Sequence, residues 1–277
     1  MTVTQPLTAF SYYLTSREAS RATCEKYLHA VGAFLSWLGA TPLDKSAVLA
    51  YKANMAEKHA PATVNGVVAA LGAYFSFLGR PELRVKSMKM QRNVFVSKEK
   101  ELTRPEYERL LRAAKEKRNE RLYLLMQTIC ATGIRVSELR FVTAEAVRAG
   151  YADVTNKGKT RRIFLPQKLC RILSAYMRGK EIRIGAVFVT RRGTPLDRSN
   201  IWADMKRLCE SARVERSKVF PHNLRHLFAR TFYELERDIV RLADILGHAS
   251  INTTRIYTAE SGDEHRRKLE KIARLLC

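Results

Sequence analysis

Tyr151-Ala-Asp-Val-Thr-Asn156-Lys157-Gly158-Lys159-Thr-Arg161-Arg-Ile-Phe-Leu165 is the stretch that decides the fold class. Two short runs carrying β-branched and aromatic residues flank a turn centred on Asn156-Lys157-Gly158-Lys159, which predicts a β-hairpin. Ala186-Val-Phe-Val-Thr190 is a candidate for one more short strand. Almost everything else follows a helical rhythm. The expected class is therefore mainly α with a small β-hairpin, an α+β chain.

Upstream of the hairpin, Leu122 to Cys130 is an apolar run that predicts a buried helix ending at Gly133. Thr103-Arg-Pro105-Glu106 has the residues of a helix start. Nearer the N-terminus, Tyr27, Leu28, Val31, Phe34, Leu35 and Leu38 keep the i, i+3, i+4 spacing of an amphipathic helix, and Val64, Val67, Val68, Leu71, Phe75 and Leu78 do so again. Ser20 or Thr23 is expected to cap the first of these, and Thr63 to begin the second. Breaks at Gly39-Ala-Thr-Pro42, Ala60-Pro61 and Gly79-Arg-Pro81 separate short helices. Residues 1–80 are thus expected to form a helical domain, 81–100 a basic linker, and 101–277 a second domain. That domain should close with a basic amphipathic helix over 264–276, whose apolar stripe is Leu269, Ile272, Ala273 and Leu276.

The chain has 277 residues, 46% of them apolar, which is enough for two cores. Its formal charge of +23 favours a polyanionic partner, and nucleic acid comes first among those. The excess is spread along the chain, with 13 basic and 6 acidic residues up to position 100 and 37 and 21 after it. Both parts could therefore lie against one duplex as a clamp. Between 80 and 100, Arg80, Arg84, Lys86, Lys89, Arg92, Lys98 and Lys100 face only Glu82 and Glu99, the composition of a solvated linker or of a strap along a phosphate backbone. No apolar run reaches the roughly 18 residues of a membrane span. The opening Met-Thr-Val-Thr-Gln-Pro-Leu-Thr lacks the pattern of a secretion signal, so a cytoplasmic location is expected. Five scattered cysteines, with no C-x-x-C pair, fit a reducing compartment rather than disulfides or zinc.

Chemistry concentrates at a few basic positions. On a wheel of about 100° per residue, Leu224, Leu227, Phe228, Thr231 and Leu235 share one arc, while His222, Arg225, His226 and Ala229 take the opposite arc. The segment after Pro221 should therefore present its basic groups away from the core, beside the positive end of a helix. His222 and His226 lack the intervening Glu of H-E-x-x-H, so no metal is expected there. Arg135 follows Gly133 in Ala-Thr-Gly-Ile-Arg-Val-Ser-Glu-Leu, and Gly247 should end a helix over 238–246 so that His248 sits at a fixed exit. Tyr257 comes nine residues later. Guanidinium forks and imidazoles suit a phosphodiester, whose charge grows in a transition state.

Taken in order, Arg135, a hairpin lysine, His222-x-x-Arg225, Leu-Gly-His248 and Tyr257 resemble the tyrosine recombinase (phage integrase) family, in its Xer-like and simple integrase form. The resemblance covers essentially the whole chain. It implies a helical core-binding domain plus a catalytic domain. It implies a site-specific DNA recombinase that cuts and rejoins DNA through a 3′-phosphotyrosine intermediate, for integration and excision of a mobile element or for chromosome-dimer resolution. Arg135 and Arg225 would bind the scissile phosphate, His248 would donate to it, His222 would help take the Tyr257 proton, and Tyr257 would attack. The family hairpin often reads Gly-Lys-Gly-x-Lys-x-Arg. Counting from the turn makes Lys157 the proton donor to the leaving oxygen, with Lys159 as the alternative. Arg84, Lys86, Lys89, Arg92, Lys159 and Arg161 are expected to touch DNA. No cofactor and no metal are implied. The implied partners are duplex DNA carrying recombination sites, further copies of the chain in a tetrameric synapse, and accessory directionality or activating proteins. A relaxing enzyme like type IB topoisomerases and a non-catalytic DNA-binding regulator are the alternatives.

Overall fold

The computed structural model describes residues 4–89, 100–156, 158–190, 192–248 and 250–257, together with Glu270 and Ala273. The chain divides into two compact units, Met1–Arg92 and Asn93–Cys277.

The first unit is built from α1 (Thr4–Ser16), α2 (Arg21–Leu38), α3 (Lys45–Lys58) and α4 (Pro61–Phe77). Ser20 caps α2 by accepting from the Thr23 amide, and Asp44 caps α3 in the same way from Ala47. The expected start at Thr63 is displaced. Helix α4 begins two residues earlier at Pro61, whose fixed φ and missing N–H suit a first helical position. Aromatic residues fill the interior, with Phe10 edge-on to Tyr74 and Phe34 edge-on to Tyr51, both at 5.1 Å between centroids.

The segment after α4 is less free than its charge suggests. Leu83 is buried in the helical core. Lys45 Nζ donates to the carbonyls of Glu82 and Arg84, each at 2.7 Å, and Lys52 Nζ donates to that of Lys86. Asn65 exchanges two hydrogen bonds with the backbone of Met88. Residues 81–88, expected at the start of a linker, are therefore strapped to the first unit. The charge run was visible in the sequence, but not the lysines of α3 that claim its carbonyls.

The second unit opens with α5 (Arg104–Glu116), whose capping box pairs Thr103 with Glu106. Helix α6 (Glu120–Thr132) is buried along most of its length and ends on Gly133 at φ +64°. A 3-10 turn (Val136–Phe141) and α7 (Ala144–Ala149) lead into β1 (Tyr151–Asn156) and β2 (Lys159–Phe164), antiparallel with Tyr151 opposite Phe164 and Asn156 opposite Lys159. Gly158, between the two strands, lies at φ +74°. Helices α8 (Gln167–Gly179), α9 (Arg198–Lys206), α10 (Cys209–Ala212), α11 (Pro221–Glu236), α12 (Ile239–Leu246) and α13 (Ile251–Thr254) follow, and a 3-10 turn ends at Tyr257. The structure is mainly helical with one small antiparallel sheet, as expected.

The anticipated strand at 186–190 is not formed. Val187 and Phe188 are fully buried in the helical core, and the segment makes only isolated bridges, Thr143 to Ala186 and Val189 to Pro195. A short apolar run fills a core as well as it builds a ladder, and among the described residues no strand pairs with it. The expected helix over 264–276 falls outside the described residues apart from Glu270 and Ala273. Among the described residues, no helix is long and apolar enough to cross a membrane.

Candidate active site

The site is assembled around the start of α11. Phe220 is extended and Pro221 opens the helix. The buried Asn223 donates to the carbonyls of Lys100 and Lys218 at 2.9 and 2.8 Å, pinning the helix start in place. Arg225 follows one turn in and is only 2% exposed. Its Nη1 donates to the Gly133 carbonyl, and its Nη2 donates to the Leu246 carbonyl at 2.7 Å and to His248 Nε2 at 3.1 Å.

This placement corrects the helical wheel. Of the arc of His222, Arg225, His226 and Ala229, expected to face away from the core, His222 is exposed, but His226 is half-buried and Arg225 and Ala229 are buried, whereas Leu235 on the supposed core arc is 78% exposed. Helix α11 packs on two sides. Helix α6 covers one, and α12 with Tyr257 covers the other through a small core of Ala229, Leu242, Leu246 and Tyr257. A hydrophobic arc reports one packing face and is silent about a second that buries a charge. Burial, followed by the nearby Arg135, brings the Arg225 pKa down to about 10, so it still carries its charge at neutral pH.

Arg135 leaves α6 just past Gly133 and folds back onto Glu138. Its amide and its Nη1 both donate to that carboxylate at 2.9 Å, and its Nη2 donates to the Gly247 carbonyl at 3.0 Å. The same carboxylate receives both terminal nitrogens of Arg161, each at 2.8 Å. Arg161, expected on the DNA, spends its fork on Glu138. The glutamate is 1% exposed and is the acid that holds two arginines in place. The Arg135 motif contains it but does not by itself assign it this role. An acid three residues after an arginine, amid a surplus of cations, was the available signal.

Helix α12 ends at Gly247 in the left-handed conformation, as expected, and this places His248. Tyr257 is buried, and its ring lies parallel to that of His248 at 5.9 Å. His226 presents its edge to Tyr257 at 4.7 Å and packs in turn against His222 at 4.4 Å. His226 was not among the expected site residues, but it is the imidazole in ring contact with Tyr257 on that side. Its Nε2 is buried and has no hydrogen-bond partner among the described residues. Lys157 lies outside the described residues. Lys159 stands in β2 directly after the turn, and nothing is described of its side chain. Of the other expected DNA contacts, Lys86 and Lys89 are exposed, Arg84 turns back onto Gly72 and Ser76, and Arg92 lies outside the described residues.

The local field keeps the histidines neutral. Burial, and then His222, Arg225 and Arg230, hold the pKa of His226 down to about 4. Burial, and then Arg225, Arg135 and Arg161, do the same for His248, also to about 4. His222 is lowered by burial and by Arg225, Arg198 and Arg135. In an unfolded chain these rings titrate near ~6.5. As pH falls the unfolded chain takes up protons first, so the stability present above about pH 6.5 is lost progressively toward about pH 4. Tm is expected to fall across that window. A flat Tm would contradict the lowered imidazole values.

Gly247 is also needed for its size. A Cβ there would stand 2.6 Å from Arg161 Cδ and 2.8 Å from its Nε, at a φ of +62°. Gly247→Ala should cost about 1–3 kcal/mol and push Arg161 off Glu138. Urea denaturation would detect the loss.

Comparisons with known proteins give the family. The family model described as the phage integrase family matches residues 100–264. The chain belongs to that family. It is a site-specific recombinase of the tyrosine class. Tyrosine recombinase XerA of Thermococcus kodakarensis is 32% identical over 278 residues, covering 96% of this chain and 94% of that protein. A crystal structure of XerA recombinase matches at 25% identity with a TM-score of 0.54, over 97% of this chain and 98% of that one. A lambda integrase dimer bound to a COC′ core site matches at 19% identity with a TM-score of 0.73, over 95% and 97%. That last likeness is one of fold.

Proposed function

We propose that Arg135, Arg225 and His248 bind one DNA phosphodiester and that Tyr257 attacks it. The observation that carries the reading is the meeting of Tyr257, His248 and Arg225 in one buried cluster, with the Tyr257 ring parallel to a histidine that Arg225 touches at 3.1 Å. Two guanidiniums disperse the charge that grows on the non-bridging oxygens. The phenol oxygen bonds to phosphorus, giving a 3′-phosphotyrosine, and the bond to the 5′-oxygen breaks. That oxygen leaves with a proton from the hairpin lysine, Lys157 or Lys159, an assistance worth about 10²–10⁴ in rate. The phenol proton passes to an imidazole. His222 and His226 are both held in the neutral, proton-accepting form, and His226 is the ring that touches Tyr257. A second strand's 5′-hydroxyl reverses the step, so bond energy is kept. The cations that meet the phosphate in this reading are all side chains.

The substrate in this reading is duplex DNA. The +23 charge supports it, and the exposed Lys86 and Lys89 of the first unit would meet the backbone. Similarity to XerA along almost the whole chain supports strand exchange over simple relaxation. Assembly of several copies on the DNA, accessory proteins and a cytoplasmic setting belong to the same reading.

Covalent capture tests it without knowledge of the target site. The protein is incubated with nicked, fragmented genomic DNA and denatured in detergent, and the attached DNA is sequenced while the modified peptide is mapped. DNA joined through a 3′-phosphate to Tyr257 is expected. No adduct, or an adduct on another residue, would overturn the assignment.

A further inference from the structure

Two hydrogen bonds define the resting state of His248. Arg225 Nη2 lies 3.1 Å from Nε2, and a guanidinium has only donors, so Nε2 accepts. Nδ1 lies 2.8 Å from Thr254 Oγ1. A neutral ring with a bare Nε2 carries its hydrogen on Nδ1 and donates it to Thr254. The groups around the ring keep it neutral. Arg225, Arg135, Arg161 and His222 are its cationic or basic neighbours, Tyr257 lies parallel to it, and the nearby Glu138 carboxylate is taken by Arg135 and Arg161.

This state is the wrong one for holding a phosphate. An anionic oxygen placed against Arg225 takes the N–H that Nε2 now receives, and it then meets a lone pair on Nε2. His248 becomes a donor either by gaining a second proton or by exchanging its hydrogen from Nδ1 to Nε2. The surrounding cations oppose the first route. The second needs a partner at Nδ1 that donates as readily as it accepts. A hydroxyl does both, whereas a carbonyl, a carboxylate or a guanidinium does only one. Thr254, fully buried at the end of α13, is that hydroxyl.

We propose that Thr254 is a positioning residue whose hydroxyl serves His248 in both directions, so that an arriving scissile phosphate switches the ring from its Nδ1–H to its Nε2–H form. The proposal rests on His248 being a ligand of the phosphate. Water that enters with the DNA gives a proton to Nε2 and takes one from Nδ1, while the Thr254 hydrogen turns toward Nδ1, so neither the charge of the ring nor the number of protons changes. The switch lets His248 donate to the phosphate without becoming a third cation beside two arginines.

The test is NMR of ¹⁵N-histidine-labelled Tyr257→Phe protein, alone and with the duplex recovered by covalent capture. Alone, His248 should show a protonated Nδ1 and a bare Nε2, and on DNA the reverse. A doubly protonated ring on DNA, or an unchanged one, overturns the proposal. In the otherwise native protein, Thr254→Val should keep Tm and DNA affinity but form adduct about 10²-fold more slowly, as expected for a misplaced group. Thr254→Ser should restore the rate. A wild-type rate in Thr254→Val, or a Thr254→Ser variant as slow as Thr254→Val, would sink it. Should Thr254→Val fail to fold, the tautomer spectra and Thr254→Ser still decide. Wild-type cleavage by His248→Gln would instead refute the reading of His248 as a phosphate ligand.

Discussion

Replacing Glu138 with alanine is expected to cost about 3–5 kcal/mol of folding stability, the scale of removing one partner from a buried ion pair. Its carboxylate accepts from the Arg135 amide, from Arg135 Nη1 and from both ends of the Arg161 fork, with its side chain only 2% exposed. Without it, two guanidiniums share a desolvated pocket with Arg225 and no counter-charge. Arg135 would then leave its hydrogen bond to Gly247 or repel Arg161, so adduct formation should fail along with stability. Glu138→Gln keeps the shape and loses the charge, and should fall between the two. Urea denaturation of the three proteins measures the cost, and a Glu138→Ala variant within about 1 kcal/mol of wild type would refute the buried hub.

The same carboxylate sets an acid limit. Burial alone would raise its pKa, but the Arg161 hydrogen bonds, the Arg135 amide and the Arg161 charge outweigh it and bring the value down to about 2. Its stabilisation is therefore complete above the unfolded value of about 4.3 and is lost as pH falls through about 2. That window lies below the one set by the histidines, so the two can be resolved in one pH series. The lower step should vanish in Glu138→Gln.

Tyr257→Phe should abolish the covalent adduct, a loss of at least about 10³-fold, while DNA affinity stays within about 3-fold. Phenylalanine preserves the ring that lies against His248 and His226, so the pocket and its arginines should persist. Only the attacking oxygen is removed. A filter-binding titration beside a denaturing gel separates affinity from chemistry. Adduct that survives denaturation in this variant would transfer the nucleophile's role elsewhere.

Local chemistry was legible wherever a few neighbouring residues decide the outcome. The β1–β2 hairpin needed only its two flanking runs, and the Thr103–Glu106 capping box only its own four residues. Gly247 at the exit of α12 needed only a residue tolerant of positive φ. The order of basic residues ending in Tyr257 was likewise readable along the chain, and with it the family. The strand expected at 186–190 shows the limit, because burial of Val187 and Phe188 looks the same in a helical core as in a sheet.

What tertiary structure alone decided is which groups meet. Glu138 binds Arg161 from 23 positions away, and Arg225 reaches His248 across the same separation. Neither pairing leaves a periodic trace, because side-chain spacing reports only the neighbours within a turn or a strand. The burial of Arg225 on the second face of α11, the placing of His226 against Tyr257 and the Thr254 hydroxyl beneath His248 all follow from helices packing from two directions. The sequence determined the order of basic residues, ending in a tyrosine, that marks the family. The packing determined their partners, and through those partners their burial and reach.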